Sequence, residues 1–266
     1  MPGPISSIWY RIAPEVLSKT GRSIDEGCDR LSQKQPRFIF FRADDAAVPG
    51  KQFVRLLEIF SRQRVPLCLA VVPAWLTKTR WKQLSILSEA NPSGWCWHQH
   101  GWRHINHERE GKKQEFGPGR TQAEMGRDLA RGRDRLQELI GKTFYPVFTP
   151  PWNRCDNRTL EWLKALEYVA VSRSRGGGSP TAKGLPDFYV SVDLHTRKEA
   201  DPISGWDNLF EELRAALSTG LCGIMIHHRR MNEAAFGFLE MLLKILVEKK
   251  DLRLVNFRDL AESKIF

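Results

Sequence analysis

The run His100-Gly101-Trp102-Arg103-His104 and the adjacent pair Asp44-Asp45 hold the residue types best suited to chemistry in this chain. Two imidazoles and one carboxylate suffice to hold one divalent metal with a position left open for water, and a second carboxylate beside the ligand can handle that water. Such a set points to hydrolysis.

The elements that must position these groups follow from the apolar pattern. Residues 37–42 form an aromatic and β-branched run that reads as a buried strand, and it delivers Asp44 and Asp45 to its carboxyl end. Similar strands are expected at 66–72, 94–100, 144–148, 168–172, 188–194, 221–227 and 252–255, with helices over 52–62, 79–89, 121–140, 159–166, 207–218 and 232–248 between them. Thr121 with Glu124 three residues on predicts a capping box for the long helix. Short buried strands alternating with helices predict an α/β fold with a parallel sheet, and seven or eight units predict a closed or partly closed barrel. In that architecture chemistry gathers at the carboxyl ends of the strands. Residues 108–120, rich in glycine and charge, read as an exposed loop able to border a cleft, and 173–183, with its glycine triplet, reads as a mobile loop.

Several predicted strands end in a reactive group, and parallel strands would bring those groups to one rim. His100 and His104 have the i, i+4 spacing that puts two imidazoles on one face of a helical turn, and Gly101 allows the change from strand to turn. Asp44 and Asp45 cannot point the same way on a strand, so one can bind the metal while the other reaches the water. His98 is expected to pack or to support the ligands, and His107 to support them or lie exposed. His195, without a companion, reads as structural or as part of the rim. His227 ends an apolar run and suits a general acid, an imidazole having a reference pKa of about 6.5, while His228 points the other way. In Thr149-Pro150-Pro151-Trp152 two prolines fix φ and leave the Trp152 amide held in a defined direction, where it can serve an oxyanion.

The order of these motifs resembles that of the NodB-homology polysaccharide deacetylases, carbohydrate esterase family 4. The matching residues are Asp44-Asp45, His100 to His104, Pro150-Pro151-Trp152 and Met225-Ile226-His227, spanning most of the chain. The resemblance implies a distorted (β/α) barrel of about seven parallel strands. It assigns Asp45, His100 and His104 to the metal, Asp44 to the general base, His227 to the general acid and the Trp152 amide to the oxyanion. It also implies a divalent cofactor, zinc first with cobalt, nickel or manganese as substitutes, and removal of an N-acetyl or similar acyl group from an amino sugar or glycoconjugate. The chain departs from the family pattern at Ala46, at Gly101 and at Thr149, where an arginine that orients the base is expected. Arg42 and Arg154 are the candidates to replace it, and the departures suggest a divergent subfamily whose substrate need not be a polymer.

Composition bounds these expectations. With 266 residues, 41% hydrophobic and 27% charged, the chain suits one barrel domain over 1–266. No apolar run approaches the roughly 18 residues of a membrane span. The start of the chain shows no export signal and the five cysteines lack paired spacing, so a cytoplasmic setting is expected. The net charge of +10 is spread along the chain without a nucleic-acid-reading motif, which favours a small or carbohydrate partner, including an anionic one. Two alternatives stand beside the deacetylase: a barrel that binds carbohydrate without turnover, stacking sugars on some of its nine tryptophans, and a metal-dependent amidase for a small non-sugar amide. Oligomeric state is open.

Overall fold

The computed structural model describes residues 3–30, 37–89, 91–176 and 184–263. Its strands are β1 (Arg37–Ala46), β2 (Leu67–Val71), β3 (Trp95–His100), β4 (Phe144–Thr149), β5 (Ala170–Val171), β6 (Val192–Asp193), β7 (Leu221–Ile226) and β8 (Leu252–Val255). The helices are α1 (Val16–Asp29), α2 (Lys51–Gln63), α3 (Lys78–Ser88), α4 (Gln122–Ile140), α5 (Asn157–Ala165), α6 (Pro202–Leu217), α7 (Glu233–Glu248) and α8 (Phe257–Glu262). Strands hydrogen-bond in the order β5-β4-β3-β2-β1-β7-β6, and β8 adds to β1. The expected seven-strand parallel path with helices between strands is present.

Two compact units share this chain. The first gathers Met1–Ala43, Gly50–Leu67 and Val190–Asn256; the second gathers Asp44–Pro49, Cys68–Tyr189 and Phe257–Phe266. In the first, β1 pairs in parallel with β7, Phe38 opposite Leu221 and Arg42 opposite Met225, and also with β8. Trp9 packs edge-on to Trp206, with Phe238 beside both. In the second, β3 pairs with β4 in parallel, but a step of two residues along β3 (Trp97 to Gln99) answers a step of four along β4 (Phe144 to Phe148), so β4 carries the extra length around Pro146. That shift sets His100 opposite Thr149.

Several expectations are corrected. β1 continues through the Asp pair to Ala46 rather than stopping at 42, and the strands expected at 168–172 and 188–194 shrink to Ala170–Val171 and Val192–Asp193. Helix α1 was not expected, because its apolar residues are few. It packs against α6 through Gly27, where a Cβ would lie 2.9 Å from Leu217 Cβ. The 108–120 segment is only partly exposed, Glu115 and Phe116 being buried. Of the nine tryptophans, Trp9, Trp95, Trp97 and Trp206 are core residues and unavailable to sugars. Residues 177–183 of the glycine-rich loop lie outside the described residues. No helix among the described residues is long and apolar enough to cross a membrane.

Helix α4 braces the end of β3. The predicted Thr121–Glu124 capping box opens it, and Gly132 lets it approach Gln99, whose Nε2 a Cβ there would meet at 2.2 Å. Gln99 cannot easily yield, since its amide donates to the carbonyls of Gly101 and Leu129 and its Oε1 accepts from the Tyr168 hydroxyl. Gly132→Ala is therefore expected to destabilise the protein by about 1–3 kcal/mol in urea unfolding, although alanine is the better helix former. A gain in stability would show that Gln99 is free to move.

Candidate metal centre

Three strand ends of the second unit carry the candidate residues. At the end of β1, Asp44 is buried and Asp45 is half-buried, with φ of 62°. His104, Trp152 and Asn153 also take positive φ, at 58°, 56° and 60°. Left-handed backbone is unfavourable for residues with a Cβ, so its concentration here means that the surrounding packing holds the chain against local preference.

His100 closes β3 and is 1% exposed. Its Nδ1 lies 2.9 Å from the Thr149 carbonyl oxygen, an acceptor, which assigns the proton to Nδ1 and leaves the Nε2 lone pair for a ligand. His100 Nε2 is 3.6 Å from Asp45 Oδ1, and His104 Nε2 is 3.4 Å from the same oxygen. A tetrahedral ion with bonds of about 2.0–2.1 Å holds its ligand atoms about 3.4 Å apart. The donor set therefore fits one zinc-class ion, and among the described residues it is the one cluster of three or more metal-ligating groups.

The two histidines meet, but not on the helical turn that their spacing suggested. Residues 101–104 form an irregular bend in which Gly101 (φ 59°) and His104 are left-handed. The Thr149 carbonyl accepts from the Gly101 amide as well as from His100, and the Trp102 carbonyl accepts from the Ala74 amide. Glu115 supplies the remaining support, its carboxylate accepting from the Trp102 and Arg103 amides. Sequence reasoning missed Glu115, placing it in an exposed loop. Its only local signal was Phe116 beside it, an apolar residue among charges.

Charge sorts the two imidazoles. Burial works to lower the His100 pKa, but Asp45 and Asp44 outweigh it and the net shift is upward. Burial and the neighbouring His100 charge push His104 down to about 4. The rings are 5.1 Å apart, so only one takes a proton readily, and it is His100. Burial raises the Glu115 pKa, and the backbone amides it holds only partly offset this.

The other predicted residues are distributed as follows. Trp152 contacts the His104 ring at 4.4 Å, and Trp75 lies on the same ring at 5.8 Å. Pro151 is buried against Gly101. His98 is wholly buried, with Nε2 2.9 Å from Thr149 Oγ1, so the residue in place of the expected arginine ties two histidines together. His107 is exposed, its amide donating to the Gln114 carbonyl, and Arg154 is half-buried. Arg42, Met225, His195, His227 and His228 belong to the first unit. There Arg42 is buried and donates to Met225 Sδ, and His228 packs on Phe53. His195 has a companion after all: its Nδ1 accepts from the His227 amide, and its ring lies against Trp9.

A family model described as polysaccharide deacetylase matches residues 32–171, just over half of the chain. No curated protein matches it in sequence. Among solved structures, a Mycobacterium smegmatis protein described as a polysaccharide deacetylase superposes with a TM-score of 0.64 at 16% identity, covering 86% of this chain and 90% of that one. The Xyl-CE4 domain of a multidomain xylanase from the hindgut metagenome of Trinervitermes trinervoides gives 0.56 at 12% identity, covering 86% and 91%. A family 4 acetyl xylan esterase from Clostridium thermocellum, in complex with a cobalt ion, gives 0.54 at 13% identity, covering 85% and 91%. At these identities the likeness is one of fold, a distorted (β/α) barrel of seven parallel strands. With its fold and the residues matched by the family model, the chain belongs to the polysaccharide deacetylase, or NodB-homology, family.

Proposed function

We propose that this chain acts as one NodB-homology domain over 1–266 and hydrolyses an amide with the help of a divalent metal, releasing acetate from an N-acetylated amino sugar or glycoconjugate. The observation that carries this is the convergence of one Asp45 oxygen with Nε2 of His100 and of His104 at ligand spacing. A bound zinc-class ion would lower the pKa of a water and polarise the substrate carbonyl. The cobalt described with the Clostridium thermocellum esterase supports a divalent ion of this class.

In this proposal Asp44 takes a proton from the attacking water and the Trp152 amide donates to the oxygen that gains charge. His227 returns a proton to the amine nitrogen as the carbon–nitrogen bond breaks. Water and amide thus give carboxylate and amine without a further reactant. The half-buried rings of Trp75 and Trp152 beside His104 support a sugar ring as the scaffold, since pyranose faces stack on indole. The five cysteines are buried thiols rather than disulfides, which supports a reducing, cytoplasmic setting and hence a soluble sugar precursor, including an anionic one.

Three measurements test this. Calorimetric titration with zinc or cobalt is expected to give one ion per chain, and Asp45→Ala, His100→Ala or His104→Ala should each weaken binding by at least about tenfold. Protons compete with the metal for neutral imidazole. Because the His100 pKa is raised while that of His104 is about 4, affinity should begin to fall above pH 6.5 as pH decreases, with His100 responsible. Affinity that holds constant down to pH 5 would contradict that assignment. Asp44→Asn should lower acetate release from N-acetylated amino sugars by about 10²–10⁴-fold while leaving metal binding in place; undiminished turnover would remove Asp44 from the mechanism.

A further inference from the structure

We propose that Glu115 is the positioning residue of the metal centre, its buried carboxylate clamping the Trp102 and Arg103 amides between His100 and His104 and so fixing the separation of the imidazoles. This rests on the reading of Asp45, His100 and His104 as metal ligands.

The geometry is specific. Glu115 Oε2 accepts from the Trp102 amide at 3.1 Å and Oε1 from the Arg103 amide at 2.7 Å, one oxygen to each. Both amides lie inside the five-residue run whose ends are the two histidines. A carboxylate, which only accepts, can take both bonds at once, whereas a glutamine would turn an NH2 group toward one of the donors. The residue is 1% exposed, and burying a charge is unfavourable without firm partners.

The seat for that carboxylate is built by residues already tied to the site. A Cβ at position 101 would lie 2.1 Å from Glu115 Oε2 and 2.5 Å from Pro151 Cγ. Gly101 is therefore needed for two reasons, its left-handed φ and the space for Glu115. On either side of Glu115 the chain is pinned. The His107 amide donates to the Gln114 carbonyl before it, and Phe116 bridges to Cys155 after it. The same segment thus spans from the His100–His104 bend toward the Pro150-Pro151-Trp152 corner. A carboxylate used only to satisfy a loop would not need to bond the two amides that set the ligand spacing.

Cobalt(II) alone is the probe, since its visible absorption reports coordination geometry independently of turnover. The full-length protein is compared with Glu115→Gln and Glu115→Asp. The expected result is a cooperative melt near that of the unaltered protein for Glu115→Gln, with cobalt affinity about 10–100-fold weaker and a changed visible spectrum. Glu115→Asp, which keeps the charge but falls one methylene short, should also lose affinity. Unaltered affinity and spectrum in both variants would overturn the proposal. If Glu115→Gln fails to fold, amide hydrogen exchange in the unsubstituted protein still decides: Trp102 and Arg103 should exchange at least about a hundredfold more slowly than an unprotected chain, and exchange at the unprotected rate would overturn the clamp. Failure of the unsubstituted protein to bind cobalt would instead refute the metal reading, and the exchange measurement would still test the clamp.

Discussion

The carbonyl oxygen of Thr149 fixes the chemistry of His100. By accepting from Nδ1 it forces the Nε2 lone pair of a buried imidazole toward Asp45, and by accepting from the Gly101 amide it starts the bend that returns His104 to the same place. A carbonyl has two lone pairs, so one atom can serve both donors. The interaction depends in turn on the irregular β3–β4 register, which brings Thr149 opposite His100.

Around that atom the protein concentrates backbone conformations that most residues avoid. Asp45, His104 and Trp152 are all left-handed, and each stands at or just beyond the carboxyl end of a parallel strand. Buried strands before these turns, and α4 braced by Gly132 and Gln99, supply the rigidity that holds the turns in place. Strain of about 1–3 kcal/mol for each such residue is tolerated only where packing over-determines the chain.

The electrostatics follow from the same burial. Two imidazoles facing one carboxylate cannot both accept a proton in so dry a place, so their pKa values separate, His100 upward and His104 downward. Such a split leaves His104 neutral under ordinary conditions and makes His100 the more basic of the two. Thr149 stands where the family pattern has an arginine, and it contributes hydrogen bonds to His98 and His100 rather than charge.

Much of this was legible in the sequence because strand burial and the carboxyl-end rule are local statements. The apolar runs before Asp44, His100 and His227 marked the strands, the alternation marked a parallel α/β fold, and Thr121 with Glu124 marked the start of α4. Motif order identified the family. Other features depend on residues distant along the chain. Glu115 lay unseen in a charged, glycine-rich segment because its partners are the backbone amides of Trp102 and Arg103, which leave no mark in side-chain pattern. The His100–His104 spacing implied a helix where left-handed turns do the work, and His195 seemed to lack the partner that His227 provides. Sequence by itself determined which side chains are able to bind and move protons, since that is a property of residue type and strand position. Tertiary structure alone decided how they are aimed, because aim is set by backbone hydrogen bonds and close contacts between segments that the order of residues does not reveal.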